Sequence, residues 1–404
     1  TRYGIAIATF IERELKRDSL NYLGSYYQAR IEEASAAGDS AEVSRLSARR
    51  RRETTAIQAR MDAKAEECAS YFEEYLAMFP ESRFSADVLV RLAQLYYDID
   101  KNTYLDRVAS SGGEEFVPMD LSRTIELYQR VLTNYPESEV EDVALYSLGY
   151  ALHEVGNQHG AITNYRRLLN RYPDSPLAAE TYVRAGDHYF DSFVFDSAMV
   201  YYDRVIDYPE ASSTVFQFGL YKLGWTYYLL NDYPSSVAVF AYLIEDTEKM
   251  EELGLGRGSA MVEEATEYIA HSFMEQQAGP GVRMASNFLD AYGRPEVTVA
   301  VLRRMGDFYI EQGYWNEAVM AYTALLNRDA YSGEAPFIQA RIAAAYEGAG
   351  DIPAAVQARE ALVEAYSRTG DWAVHARDSS RFAEVDSIRA EALEQAITYH
   401  LSTA

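Results

Sequence analysis

The stretch LYSLGYALHEVGNQHGAITNYRRLLNRYP, residues 145–173, decides the fold. Leu145, Leu148, Gly149 and Leu152 fall at the three-and-four spacing of one helix face. Gly156-Asn157 breaks the pattern and marks a turn. Ala161, Tyr165, Leu168 and Leu169 form a second face. Pro173 then stops the second helix, because proline removes a backbone donor and clashes with the preceding turn. Helices this short are marginal alone in water, so the hairpin needs neighbours.

The same chain supplies them. A small residue recurs at Gly149, Gly186, Gly224, Ala270, Gly306 and Ala343, in steps of 37, 38, 46, 36 and 37. Sixteen residues after four of these stand Tyr165, Tyr202, Phe240 and Tyr322. Pro80, Pro136 and Pro173 each precede a small residue by thirteen. A fixed period of this size means stacked helical repeats. The small residue lets two helices approach, the aromatic fills the wedge beside them, and the proline turns the chain back. Ser286 and Arg359 stand where two further aromatics are expected, so those units are degenerate.

The pattern resembles the tetratricopeptide repeat, with its W-x2-L-G-x2-Y helix followed by an Ala, an aromatic and a Pro. The matching residues are Leu145, Leu148, Gly149, Leu152, Ala161, Tyr165 and Pro173. Three more units repeat most of the set around Gly186–Tyr202, Gly224–Phe240 and Gly306–Tyr322, with Ser236 in place of the alanine in one, and only the first of them, through Pro209, keeps the proline. The resemblance implies an all-α fold: a right-handed tetratricopeptide superhelix, an α-solenoid of antiparallel helix pairs. Three segments are expected. Residues 1–62 read as a long N-terminal helical hairpin, 63–366 as an array of about seven helix pairs, and 367–404 as a C-terminal capping helix. Insertions at 100–119, with Gly112-Gly113 and Pro118, and at 246–258 are expected to enlarge two turns.

On the first helix the apolar side is read as Ile7, Phe10, Ile11, Leu15, Tyr22, Leu23, Tyr26 and Tyr27. The second carries Arg45 and Arg49 to Arg52, which read as a solvated face of the hairpin.

A net charge of -25 argues against nucleic acid, since phosphate binding needs basic stripes, and against adsorption to anionic lipid. One cysteine, Cys68, excludes an internal disulfide and a cysteine-rich metal site. It falls at a small-residue position and reads as a buried, inert thiol. No run of 18 apolar residues is present. A start at Thr1 reads as a processed or trimmed form, which would leave a signal peptide or lipidated cysteine out of view.

No catalytic constellation stands out. The six histidines, among them His153 and His271, form no HExxH and no ligand-spaced set with Cys or carboxylates. Gly254, Gly256 and Gly258 lack the preceding strand and following GK[ST] of a phosphate loop. No catalytic residue, metal or cofactor is expected; an enzyme module is the least favoured reading.

A partner-binding surface is the better candidate. In the resembling family the first helix of each pair lines a concave face through its positions 2, 5, 9 and 12. That register assigns Tyr146, Tyr150 and His153, then Asp187 and Phe190, then Phe218, Tyr221, Trp225 and Tyr228 to a groove. Aromatics with a polar edge suit protein or peptide recognition. The alternative is that neighbouring helices cover the stripe and it is core. Co-chaperone members of the family hold a carboxylate with Lys and Asn at positions 5 and 9; here Tyr146, Tyr150, Val183, Asp187, Tyr221 and Trp225 stand there, so that clamp is absent.

The repeat ends FPESRFSADV, YPESEVEDVA and YPDSPLAAET resemble bacterial envelope repeat proteins. These include the BamD-like outer-membrane assembly lipoproteins and the YbgF-like Tol-Pal accessory proteins. LYKLGWTYYLLNDYPSSVAVFAYLIED and ALEQAITYH are similar to longer envelope proteins, some linked to gliding motility. The resemblance implies a non-catalytic periplasmic scaffold that binds other proteins, with anchoring to the outer membrane as one form of it. A cytosolic assembly adaptor of the same architecture is the alternative.

Overall fold

In the computed structural model, residues 2–110, 118–209, 212–254, 260–276, 280–376 and 380–403 are described. Among them the fold is all-α, without a strand. The chain divides into two compact units, residues 1–188 and 189–404.

The first unit opens on two long helices, α1 (Arg2–Ala36) and α2 (Ser40–Met78), paired antiparallel. The turn between them uses Gly38 at φ 73, and the Asp39 side chain accepts from the Glu42 N–H to cap α2. Tyr27 is buried and donates to Glu53 at 2.8 Å, which ties the two helices together away from the repeats. Helices α3 (Ser85–Ser110) and α4 (Ser122–Asn134), then α5 (Glu141–Glu154) and α6 (Gln158–Arg171), follow as two shorter antiparallel pairs, and most of α7 (Ala178–Asp191) completes the unit. Cys68 is fully buried among them.

The α5–α6 hairpin shows how sequence makes the unit. Gly156 takes φ 81 after the last turn of α5, and its N–H and that of Asn157 bond back to His153 and Leu152, each at 2.8 Å. This left-handed cap satisfies two orphan carbonyls of the helix end. Asn157 then caps α6 by accepting from the Gly160 N–H at 2.9 Å. Above the turn, Gly149 faces the ring of Tyr165; a Cβ on Gly149 would lie 2.5 Å from Cε1 of that ring.

The second unit repeats the device. It contains α8 (Phe195–Asp203) with a 3-10 turn at Arg204–Asp207, α9 (Ser213–Leu229), α10 (Tyr233–Glu252), α11 (Ala260–Gln276) and α12 (Pro280–Tyr292). It continues through α13 (Pro295–Glu311), α14 (Trp315–Leu326), α15 (Ala335–Gly348), α16 (Ile352–Ala365), α17 (Asp371–His375) and α18 (Phe382–Thr403). Gly224 lies under Phe240 as Gly149 does under Tyr165, and Gly306 likewise under Tyr322. Ser236, where other units have alanine, is buried and donates to the Gly224 carbonyl at 2.9 Å, so its hydroxyl is satisfied.

Several expectations are corrected. The segments read as enlarged turns are mostly helix: α3 continues to Ser110 and α10 to Glu252. Inside α10, Asp246 is buried and accepts from Gln217 at 3.0 Å, which a loop reading would not place there. Gly112-Gly113, and Gly256 and Gly258 of the glycine run, lie outside the described residues. Position 62 falls within α2, so no break separates hairpin from array there. The aromatic missing at Arg359 is replaced by a nearly buried arginine paired with Glu347. Ser286 is half-buried beside Ala285, which is fully buried, and the ring in that pair is Phe288, 5.8 Å from Phe273.

On α1 the apolar stripe is only partly used. Ile11, Tyr22 and Tyr26 are exposed because α2 covers one side of the helix, and the Leu15 side chain lies outside the described ones. Arg45, Arg49, Arg51 and Arg52 are exposed on α2, with Arg49 paired to Glu53 at 2.9 Å. After residue 367 comes a short helix rather than a plain break: α17 buries Trp372, whose Nε1 donates to the Ser332 carbonyl at 2.9 Å. Helix α18 then packs on α16 through Val385, Ala392 and Ala396, leaving Leu393, Ile397 and Leu401 exposed.

Candidate partner-binding faces

In the first unit, α5 sets Tyr146 and Tyr150 four residues apart on one side of the helix. Their rings stack at 6.5 Å, and Tyr150 meets Tyr97 of α3 edge-on at 6.0 Å. The Tyr146 hydroxyl donates to Glu180 of α7 at 2.5 Å. Burial, reinforced by that bond and the Glu180 charge, holds the Tyr146 hydroxyl well above the usual tyrosine range. Arg184 of α7 lies 5.3 Å over the Tyr150 ring and 3.5 Å from Glu180. Beside these rings is a cavity of about 390 Å³. Tyr97, Tyr146 and Tyr150 line it together with Gln94 and Asp98 of α3, and α1 supplies Phe10 and Arg17 to its wall. Arg17 reaches to 4.0 Å from Asp98.

His153 is placed apart from the rings. It sits at the end of α5, with Nδ1 3.0 Å from the Gln158 side chain at the start of α6. Asp187 is half-buried on α7.

In the second unit, Tyr221, Trp225 and Tyr228 follow one another along α9, and all three are half-buried. Helix α11 adds Tyr268, whose ring is 4.0 Å from Trp225 and 5.0 Å from Tyr228. His271 continues the run, 5.6 Å from Tyr268 and 4.9 Å from Phe308 of α13. Burial, with a bond to Glu264, pushes the Tyr221 hydroxyl up to about 12; burial and the Glu275 charge do the same for Tyr228. The Trp225 indole N–H is buried without a hydrogen bond of ordinary geometry. Beyond Phe308 the face becomes ionic: Glu267 pairs with Arg304, and Asp307 with Arg341.

Phe190 and Phe218 form a separate group. Lys222 lies over both rings, at 4.3 and 5.6 Å, and Phe190 packs toward Phe195 and Tyr202 in the α8–α9 core.

Tyr97, Asp98, Tyr268 and His271 were missed by the register argument. The signal was present. Tyr97 stands four residues after Ala93, as His153 does after Gly149, and His271 follows Ala270 as Trp225 follows Gly224. Extending the register to the units around Ala93 and Ala270 would have found Tyr97 and His271. Among the described residues no group of three His, Cys, Asp or Glu side chains could hold a metal ion, and no helix is long and apolar enough to cross a membrane.

Helix pairs of this geometry, repeated on a glycine under an aromatic ring, define a helical repeat protein. Residues 143–175 and 219–246, which span α5–α6 and most of α9–α10, match the family model of the tetratricopeptide repeat. No curated protein matches the chain. Among solved structures it is similar to the C-terminal part of a tetratricopeptide protein from Cytophaga hutchinsonii. That match has 15% identity and a TM-score of 0.40, and covers 68% of this chain and 94% of the other. A tetratricopeptide repeat protein from Parabacteroides merdae matches at 14% identity and a TM-score of 0.33, covering 73% and 98%. Yeast Tom70 matches at 14% and 0.35, covering 84% and 61%.

Proposed function

We propose that this chain is a non-catalytic scaffold that binds protein segments on the aromatic faces of its first helices, in the bacterial envelope. The observation that carries the reading is the run Tyr221–Trp225–Tyr268–His271, with Tyr228 set against Trp225 and Tyr268, whose rings lie against one another while remaining half-buried. Rings fixed by their neighbours offer a large contact area at little further entropic cost, which is what interface hot spots need. The envelope assignment is supported by the style of the repeat ends, FPES, YPES and YPDS.

Crosslinking capture from bacterial envelope extract, read by mass spectrometry, tests the binding surface. Trp225→Ala combined with Tyr221→Ala is expected to abolish capture and leave the helical circular dichroism unchanged. Capture at the parent level by the double variant overturns the surface. Fractionation of cells expressing the full gene tests the compartment: recovery with the cytosol overturns the envelope assignment.

A further inference from the structure

Helix α11 carries Glu264, Tyr268, His271 and Glu275 at intervals of four, three and four, which puts them on one face of the helix. That face meets α9, because the Tyr268 ring lies 4.0 Å from Trp225 and 5.0 Å from Tyr228. The aromatic floor is therefore bracketed by two carboxylates, Glu264 one turn before Tyr268 and Glu275 one turn after His271. Burial raises the hydroxyls of Tyr221, Tyr228 and Tyr268, and the carboxylates add to it, Glu264 at Tyr221 and Tyr268 and Glu275 at Tyr228. Glu264 thus stands at the Tyr221 end of the floor and Glu275 at the Tyr228 end. Glu267, on the same helix, is taken by Arg304, with His271 3.5 Å away. Among the described residues neither Glu264 nor Glu275 is paired with a basic side chain. The rings are in the same position. Elsewhere the chain's own cations lie over ring faces: Arg184 over Tyr150 at 5.3 Å, Lys222 over Phe190 at 4.3 Å and Arg341 over Tyr322 at 6.0 Å. Among the described residues no such cation lies over Trp225, Tyr228 or Tyr268. Ring faces attract guanidinium and ammonium groups through the quadrupole, tryptophan most strongly.

The eleven residues from Glu264 to Glu275 span about 16 Å of helix, the reach of about five residues of extended chain. We infer that this face binds an extended partner segment with two basic residues about five positions apart. One cation lies beside Glu264 and Tyr221, the other beside Glu275 and Tyr228, and the chain between them rests on Trp225 and Tyr268. The inference rests on the scaffold reading above and names the partner's charge and spacing. An aromatic surface alone accepts apolar side chains of many kinds; unbalanced carboxylates at its two ends favour a basic segment and oppose an acidic one. The net charge of -25 draws a basic segment toward the chain from a distance, and the two carboxylates set where it is held.

The test uses fluorescence anisotropy of the full chain with labelled Gly-Ser peptides that carry two arginines five positions apart, two adjacent arginines, or two citrullines five positions apart. Citrulline keeps the shape of arginine and removes its charge. The spaced arginine peptide is expected to bind most tightly, the adjacent pair several-fold more weakly, and the citrulline peptide at least about tenfold more weakly. Glu264→Gln and Glu275→Gln are each expected to weaken the spaced arginine peptide a few-fold, and together about tenfold. Glutamine at 264 can still accept from the Tyr221 hydroxyl, so the helical circular dichroism should not change. Glu391→Gln with Glu394→Gln removes the same charge from the exposed side of α18 and should alter binding less than about twofold, since distant surface charges are screened. Equal binding of arginine and citrulline peptides overturns the inference, as does equal binding of spaced and adjacent arginines. So does equal loss from the α11 and α18 double variants. If one of these results is obtained while capture from envelope extract still depends on Trp225 and Tyr221, the scaffold reading stands and only the partner's charge and spacing are wrong. Capture that survives loss of Trp225 and Tyr221 sinks the scaffold reading and this inference with it.

Discussion

Gly149 and Tyr165 are in contact so close that a single methyl group on the glycine would come within 2.5 Å of the tyrosine ring. The relationship recurs as Gly224 with Phe240, where the distance would be 2.7 Å, and as Gly306 with Tyr322. Each ring is essentially fully buried, so it cannot swing away. Gly224→Ala is therefore expected to destabilise the fold by about 1–3 kcal/mol, the usual cost of overpacking, despite the better helix propensity of alanine. Combining it with Phe240→Leu should recover part of that loss, a non-additivity readable by thermal melting of the four proteins of the cycle. Additive effects would show that ring and glycine are not energetically coupled.

Glu141 offers a test by pH. It is fully buried at the start of α5 and accepts from the Glu137 N–H at 2.6 Å, Tyr172 at 2.8 Å and Arg167 at 2.7 Å, with Arg171 at 3.2 Å. Burial alone would raise its carboxyl pKa, but these donors outweigh burial and hold it below the usual 4.5. A depressed folded value means the stabilisation is present above about pH 4.5 and is lost as pH falls below it. Glu141→Ala is expected to cost about 3 kcal/mol near neutrality, because two arginines and a hydroxyl lose their partner. The gap between parent and variant should narrow below pH 4.5 in denaturant titrations; a constant gap would mean that the carboxylate charge is not what matters.

The turn after α7 carries a different strain. Phe193 adopts φ 58 and is 80% exposed, at a turn where other hairpins place Gly156, Asn231, Gly313 and Gly350 in the same left-handed region. A side chain pays about 1–2 kcal/mol for that conformation and glycine does not. Phe193→Gly is expected to raise the melting temperature, while Gly313→Phe at the equivalent turn should lower it. A lower melting temperature for Phe193→Gly would show that contacts of the ring with Phe195, 6.2 Å away, outweigh the strain.

Tyr268 distinguishes the aromatic run from simple packing. Its ring lies tilted against Trp225 at 4.0 Å yet stays half-buried. Tyr268→Leu retains apolar volume and is expected to cost less than about 1.5 kcal/mol in stability. It should nonetheless reduce partner capture as far as Trp225→Ala does, measured in the same crosslinking assay. Full capture by Tyr268→Leu would confine the surface to α9.

Much of the fold was legible because its determinants are local and periodic. Gly149, Gly224 and Gly306 announce crowded contacts, and the aromatic sixteen residues on is the ring that crowds them. The same periodicity hid what departs from it. Residues 100–110 and 246–252 lengthen helices, and a phase count reads extra residues as loop whether or not they stay helical. Arg359 was illegible for a chemical reason: a long aliphatic stem can fill an aromatic's place if its guanidinium finds an acceptor, and Glu347 is that acceptor. The faces were legible only as far as the register was carried. Tyr146, Tyr150, Tyr221, Trp225 and Tyr228 were found from the glycine units, and Tyr97 and His271 lie in units whose small residue is alanine. The contribution of Phe10 and Arg17 came from α1, which has no repeat signature to set its phase.

Helix α2 joins two regions that sequence reading would separate. It runs unbroken for 39 residues, from the turn at Asp39 to the edge of the first repeat pair. At 1.5 Å per residue that is a rod of roughly 58 Å. One end is braced against α1 by Tyr27 and Glu53, and the other is embedded through Cys68 and Phe72. Such a rod has no loop along its length, so its Asp39 end and the first repeats are joined by continuous hydrogen-bonded helix and not by a linker.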